Sequence, residues 1–366
     1  LNEDDRYHGF GWECAGIVVS VGEEVSSIDE GDLVMAIASG AIGTHALARA
    51  SLVVPVPQKI NVEEAASVPV AFLTAWYSLV HLARLEKGER ALIHSATGGV
   101  GLAAVQIARY LGAEVFATAG SAEKRSFLTE MGIQHVMDSR TTEFADEILN
   151  ITDGEGVDVV LNSLAGDALQ KSLMVVAPYG RFIELGKSDV LQDSPVGLGV
   201  FEGNISFFAV DLAQLWQDRP DVMGRHLSDV TELFKTGTLT PVPITQYPIQ
   251  DTKRAFQLMA QAGHTGKIVI TMNDDPVEVS TDEGPIKSDR TYLITGGFGG
   301  LGILLAEWMY EQGARHLALI GRNPPDKRAQ AVIDRLRDND LDIQAMVCDV
   351  TNRKNFETAL EDIQSS

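Results

Sequence analysis

Two glycine-rich turns constrain this chain more tightly than anything else in it. They read Ser95-Ala-Thr-Gly-Gly-Val-Gly101 and Thr295-Gly-Gly-Phe-Gly-Gly-Leu-Gly302. Each follows a short apolar run and opens a stretch with helical periodicity. A strand that ends in glycines and feeds a helix brings backbone N–H groups close to a pyrophosphate, and the positive end of the helix dipole favours that anion. Glycines alone are a weak signal, but the strand–turn–helix setting points to dinucleotide binding. Two such units of different type imply two adjacent reductase-like domains.

Composition narrows the class. The chain has 366 residues, 45% hydrophobic and 22% charged, the balance of two or three soluble globular domains. A formal charge of −22 argues against a nucleic-acid partner. No apolar run approaches the ~20 residues that a bilayer crossing needs, and no basic-then-apolar leader opens the sequence. Cys14 and Cys348 are the only cysteines, so neither a disulfide framework nor a structural zinc site is expected. A cytoplasmic location follows. The sequence begins at Leu1 without a methionine and stops at Ser366 inside a βαβ pattern, and is expected to be a fragment of a longer protein.

Residues 1–60 read as part of a small antiparallel barrel, with strands at Ile17–Val21, Asp32–Ile37 and Ser51–Val54. Residues 61–205 alternate helix and strand signals, as a parallel doubly wound sheet does. Within them Asn61–Leu85 reads as helical, with Asn61 and Glu64 in cap positions. Ala91–His94 reads as a buried strand, Gly101–Leu111 as a helix stopped by Gly112, and Glu114–Thr118 as the next strand. Residues 206–272 return to the barrel through a strand at Gly266–Ile270. Residues 273–288, rich in Asp, Glu, Pro and Ser, read as a linker. Residues 289–366 begin a second Rossmann unit.

Thr97, Gly98, Gly99, Val100 and Gly101 are the candidate pyrophosphate turn. Cofactor choice is set at the end of the following strand, where a carboxylate would bind the ribose hydroxyls of NAD. That stretch is Ala119-Gly-Ser-Ala-Glu-Lys-Arg125, with small residues at the strand end. Ser121 and Lys124, joined by Arg140 from the next strand end, would hold a 2′-phosphate. Glu123 sits within the helix start, where it serves the helix dipole. NADPH is the expected cofactor; the plain alternative is an ordinary solvated helix terminus.

Five ordered motifs carry a resemblance: Gly11-Trp-Glu-Cys-Ala-Gly16, Pro69-Val-Ala-Phe-Leu-Thr-Ala-Trp-Tyr77, His94-Ser-Ala-Thr-Gly-Gly-Val-Gly101, Val159-Val-Leu-Asn-Ser-Leu164 and Arg181-Phe-Ile-Glu-Leu-Gly-Lys187. Over residues 10–272 the chain resembles the enoyl reductase domain of modular polyketide synthases, which is similar to that of animal fatty acid synthase. The resemblance implies an α/β fold of the medium-chain dehydrogenase/reductase type, a Rossmann sheet inserted in a truncated GroES-like β-barrel. Zinc-dependent relatives carry a histidine in the motif that here reads Gly11-Trp12-Glu13, so the zinc-free branch is implied and no metal is expected. Thr74, Asn162 and Lys267 match positions near the nicotinamide end of the cofactor.

The implied reaction is reduction of a trans-2-enoyl thioester on the phosphopantetheine arm of an acyl carrier protein. Hydride adds at the β-carbon and a proton at the α-carbon. The proton-donor pair maps to Lys187 and to Asp211 in Phe208-Ala-Val-Asp-Leu212. A lysine held charged beside a carboxylate is a chemically sensible general acid; the alternative is a structural ion pair. Asp189 is expected to cap a loop, and His94 to be a strand-end residue and not a base.

The second turn, through Gly296, Gly300 and Gly302, matches that of short-chain dehydrogenases. Arg322 stands at the 2′-phosphate position, and Asp349 resembles the aspartate that meets adenine. The segment resembles the start of a polyketide synthase ketoreductase, whose catalytic Ser, Tyr and Lys would lie beyond Ser366, so ketoreduction by this chain is not expected. Other polyketide synthase domains are implied partners. A free quinone oxidoreductase or alkene reductase, a ring-closing relative and a non-catalytic scaffold remain as alternatives.

Overall fold

Three short strands open the structure: β1 (Glu13–Ile17), β2 (Leu33–Ile37) and β3 (Val53–Pro55), antiparallel and paired in that order. This computed structural model describes residues 9–272, 286–339 and 341–364. It divides into two units, Leu1–Val277 and Glu278–Ser366. β1 lies earlier than the apolar run Ile17–Val21 suggests. Ala15 pairs with the fully buried Met35, and Ile17 and Val19 are left about two-thirds exposed (66% and 65%). Glu13–Ile17 pairs residue for residue with Leu33–Ile37, and the ladder ends where Gly31 turns at φ +94°.

The helical stretch after β3 is broken into three. Asn61 and Glu64 form a reciprocal capping box at the start of Val62–Ala65. Pro69 then starts the helix Pro69–Trp76, because proline suits a first turn but has no N–H for a helix interior. A wide π-type turn, Tyr77–Leu82, completes the run.

The core of the first unit is a six-stranded parallel sheet. Its strands are β4 (Arg90–Ile93), β5 (Glu114–Ala119), β6 (His135–Asp138), β7 (Val157–Asn162), β8 (Val176–Glu184) and β9 (Ser206–Ala209), in the order β6-β5-β4-β7-β8-β9. Leu92, Phe116, Val160 and Phe182 are fully buried in it, as expected for strands covered on both faces. The helix Gly99–Leu111 packs Leu102, Val105 and Ala108 into the core and stops at Gly112, which takes the left-handed conformation at φ +80°. Strand order reverses between β4 and β7, so the carboxyl ends there form the crevice where doubly wound sheets bind ligands.

β10 (Ile244–Pro248) and β11 (Lys267–Thr271) pair in parallel with each other. Among the described residues β11 pairs with no strand of the β1–β3 sheet, and Lys267 at its start reaches Glu13 of β1 by its side chain. The expected linker falls largely on 273–285, outside the described residues. In the second unit β12 (Thr291–Thr295), β13 (His316–Gly321) and β14 (Asp342–Val347) form a three-stranded parallel sheet. The helices Gly300–Glu311, Lys327–Asp338 and Arg353–Gln364 follow its strands in turn. Among the described residues no helix is long and apolar enough to cross a membrane.

Candidate active site

The turn after β4 needs its glycines for steric reasons. Ser95 adopts φ +50°, and a Cβ on Gly101 would stand 2.5 Å from the Ser95 carbonyl oxygen and 2.6 Å from the Ala96 Cα. Only a bare residue lets the helix start so close behind the strand. A Cβ on Gly99 would strike the stem of Lys267, 2.5 Å from its Cδ, so Lys267 lies across the helix start. Gly266 N donates to Thr97 O at 2.8 Å, and Gly98 bridges Gly266, fastening the segment before β11 onto the turn. Val100 is half-buried in the first turn of the helix.

Cations gather at the end of β5. Ser121 caps the helix Ala122–Glu130, accepting from Lys124 N at 3.3 Å. The guanidinium of Arg140 lies over Gly120, where a Cβ would be 2.6 Å from its Nε. Burial and the facing Arg140 charge push the Lys124 ammonium pKa down, and its Nζ donates to Ala262 O at 2.7 Å. The nearby carboxylates are engaged elsewhere. Glu123 is held low by its own backbone N–H and by Ser121, at the start of its helix. Asp138, at the end of β6, pairs with Arg125 at 2.8 Å and accepts from Arg140 N at 2.8 Å.

Lys187 follows β8 and Asp211 follows β9, and they meet at 2.8 Å, Nζ to Oδ2. The other Asp211 oxygen caps the helix Leu212–Asp218, accepting from Ala213 N at 3.0 Å and Gln214 N at 3.3 Å. Burial alone would raise the Asp211 carboxyl, but the bond and charge of Lys187 and the two amides hold it below its ordinary value. The pair is partly open to solvent, at 40% and 37% side-chain exposure.

Sequence reasoning passed over Glu184. It closes β8 at 2% exposure, and burial drives its carboxyl up to about 7, with Asp189 pushing the same way against the bonds from Asn162 and Gly186. Its signal was only an acidic residue ending a buried apolar strand. Asn162, fully buried, donates to Glu184 Oε2 at 2.6 Å and to Leu164 O at 2.8 Å, so its amide hydrogens are used within the protein. Thr74 Oγ1 donates back to Val70 O at 2.6 Å, while Val70 N donates to Glu13 Oε2 at 2.8 Å. Glu13 in turn pairs with Lys267. A cavity of about 430 Å³ opens beside Glu13, Cys14 and Lys267; Lys187 and Asp211 do not line it.

Asp189 accepts from Gly166 N at 3.1 Å, in the loop-holding role expected of it. His94 is buried between the hydroxyls of Thr118 (2.9 Å) and Ser172 (2.8 Å), and desolvation drops its pKa to about 3. It is a neutral structural group. Trp12 packs edge-on against Trp216 at 5.4 Å. Among the described residues no group of three or more His, Cys, Asp or Glu side chains is placed to hold a metal ion.

The second turn repeats the geometry. Gly296 takes φ +70°, and a Cβ on Gly302 would lie 2.7 Å from the Gly297 Cα, whereas Gly300 faces open space. Arg322 is exposed just after β13. Asp349 Oδ1 accepts from Thr351 N (3.0 Å) and Oγ1 (2.8 Å), which with the Arg322 charge holds its carboxyl below its ordinary value.

A parallel doubly wound sheet with a glycine turn at its switch point defines a dinucleotide-binding oxidoreductase. Residues 131–270 match the family model described as zinc-binding dehydrogenase, and residues 290–366 match the KR domain model. The crystal structure of CurK enoyl reductase is 43% identical, with a TM-score of 0.67 over 72% of this chain and 79% of that one. The CurF ER cyclopropanase of the curacin A pathway is 38% identical, with the same TM-score over 72% and 78%. A phenolphthiocerol/phthiocerol polyketide synthase of Mycobacterium tuberculosis is 43% identical over 97% of this chain, and highly-reducing polyketide synthase 1 of Aureobasidium melanogenum is 41% identical over 97%. The chain spans only 16% and 17% of those two proteins. It belongs to the polyketide synthase enoyl reductases of the medium-chain dehydrogenase/reductase superfamily, followed by part of a ketoreductase (KR) domain.

Proposed function

We propose that the first unit reduces a trans-2-enoyl thioester, presented on the phosphopantetheine arm of an acyl carrier protein, with NADPH and without zinc. One observation carries this reading. The carboxyl edge of a single sheet collects the glycine turn after β4, the cations Lys124 and Arg140 after β5 and β6, and the Lys187–Asp211 pair after β8 and β9. The residues fit a 2′-phosphorylated dinucleotide, because two cations face each other beside Gly120 while Glu123 and Asp138 hold other partners. The Trp12 indole offers no metal-ligating lone pair.

When bound, NADPH supplies the hydride that reaches the β-carbon of the substrate. Negative charge then develops on the thioester oxygen and the α-carbon. Asp211 aims Lys187 through their hydrogen bond, and Lys187 delivers a proton from Nζ to the α-carbon. A substrate with a leaving group at its γ-carbon would offer another outcome, attack of the α-carbon on the γ-carbon to close a three-membered ring. The likeness to a cyclopropanase raises that reading, and the positioned proton donor favours reduction. For residues 290–366 we propose dinucleotide binding only.

The test is NADPH with a crotonyl thioester on pantetheine or on a carrier protein. Saturated product is expected, and Lys187→Ala should lower kcat by roughly 100-fold while the NADPH Kd stays within about twofold. Quinone turnover without thioester reduction would replace this reading with that of a free alkene reductase.

A further inference from the structure

A buried carboxylate at the end of a parallel strand is costly unless its oxygens are satisfied. Glu184, at 2% exposure, meets that requirement by joining three strand ends. Its Oε2 accepts from Asn162 Nδ2, at the end of β7, at 2.6 Å. Its Oε1 accepts from Gly186 N, the residue before Lys187, at 2.5 Å. Its main-chain oxygen accepts from Val210 N, the residue before Asp211, at 2.9 Å. Leu185 N donates to Asn162 O at 2.9 Å, which closes the arrangement. A Cβ on Gly186 would stand 2.7 Å from Glu184 Oε1, so the loop lies close over the carboxylate.

We propose that Glu184 is the positioning residue of the proton-donor pair: it fixes the residue before Lys187 and the residue before Asp211, and so sets the pair's meeting. The inference rests on the reading of Lys187 as donor. The ionised carboxylate suits the site, because both groups bonded to its side chain are N–H donors. A proton on either oxygen has no acceptor among those partners and weakens one of the two bonds. Asp189, on the short helix Ser188–Leu191, opposes ionisation, and Lys187 and Asp211 stand on the two loops that Glu184 ties. Protonation of Glu184 therefore loosens the Gly186–Lys187 turn or releases Asn162, and slows α-carbon protonation.

Glu184→Gln keeps the shape but must turn an amide N–H₂ toward one of two donors. It should lower kcat about tenfold, the scale of a small misplacement of a reacting group, with NADPH Kd, read by fluorescence, within about twofold. The decisive readout is the pH profile. In the unaltered protein kcat should rise with pH through an ionisation near 7, the value to which burial lifts this carboxyl. In Glu184→Gln that step should vanish, and in Glu184→Asp, which keeps the charge, it should remain. A slower Glu184→Gln enzyme with the step intact would reduce Glu184 to a structural group and overturn the proposal. So would an unchanged kcat. If Glu184→Gln fails to bind NADPH, the Glu184→Asp profile decides alone, and loss of the step there overturns the proposal. Lys187→Ala separates the two readings. A Lys187→Ala protein as active as the unaltered one removes the donor assignment and this inference together, whereas its loss beside a normal Glu184→Gln profile removes only this one.

Discussion

The two glycine turns are nearly the same local object set in different surroundings. In both, a Cβ on the last glycine would collide with the backbone at the start of the turn, at Ser95–Ala96 in one and Gly296–Gly297 in the other. The helices that follow differ. Gly99–Leu111 buries Leu102, Val105, Ile107 and Ala108 in a sheet with strands on both sides of β4. Gly300–Glu311 buries Ile303, Ala306 and Met309, but leaves Leu301, Leu304, Leu305 and Trp308 at 83%, 61%, 40% and 44% exposure. Among the described residues β12 pairs with β13 alone. The turn is written by a few consecutive residues, whereas the cover of its helix comes from residues far along the chain.

Acid should separate the units most strongly. His94 has its pKa depressed from 6.5 to about 3 by burial, so the unfolded chain binds the extra proton as pH falls below 6.5. Stability is then lost toward pH 3, at up to ~1.4 kcal/mol per pH unit. Glu184 acts in the opposite sense. Its carboxyl is raised from 4.5 to about 7, so the folded state holds the extra proton across that interval and stability falls as pH rises through it. Glu184 opposes the histidine slope between 4.5 and 6.5 without cancelling it, because burial also holds His226 and His264 below 6.5, and the loss steepens below 4.5, where Asp211 and Glu89, both held low in the fold, also take up protons. In the second unit His316 is half exposed beside Asp342 and no buried histidine occurs among the described residues. Urea unfolding at stepped pH should show the first unit losing stability gently from 6.5 to 4.5 and then failing. In Glu184→Gln the full histidine slope should appear in that window. A level Glu184→Gln curve there would refute the opposed titrations.

A second test asks whether each turn serves its own unit. Gly101→Val drives a branched side chain into the Ser95 carbonyl, an overpacking of several kcal/mol at a site that cannot collapse. Dinucleotide affinity of the first unit should fall by ~100-fold or more, and thioester reduction with it. Gly302→Val should leave that reduction unchanged. If Gly302→Val also abolished enoyl reduction, the activity would not belong to the first turn alone.

The contrast also explains what was legible in the sequence. Features made by neighbouring residues were readable: both turns, the Asn61–Glu64 capping box and the stop at Gly112. So was the alternation that yields a parallel sheet. The Lys187–Asp211 meeting was reachable only through the family resemblance, since adjacency of β8 and β9 brings the two residues together and no local pattern encodes it. Glu184 was missed because its partners stand on β7, on its own loop and after β9. The Glu13–Lys267 pair joins opposite ends of the first unit and escaped for the same reason. β1 was misplaced because the apolar run Ile17–Val21 outweighed a half-buried stretch whose pairing with Leu33–Ile37 no local pattern encodes.

The smallest expected effect probes the exposed helix face. Leu304 is 61% exposed, so Leu304→Gln removes little buried apolar area and should change the stability of the second unit by no more than ~0.5 kcal/mol. Leu102, at 1% exposure on the equivalent helix of the first unit, should cost about 2–5 kcal/mol when cut to alanine. Chemical unfolding of each variant against the unaltered protein gives both numbers, and solubility gives a third. A row of large apolar side chains at Leu301, Leu304, Leu305 and Trp308 invites self-association, so Leu304→Gln should raise the concentration at which the protein aggregates even as it leaves the unfolding midpoint alone. A loss of several kcal/mol from Leu304→Gln would mean that this face is covered in solution, and the difference drawn between the two helices would not hold.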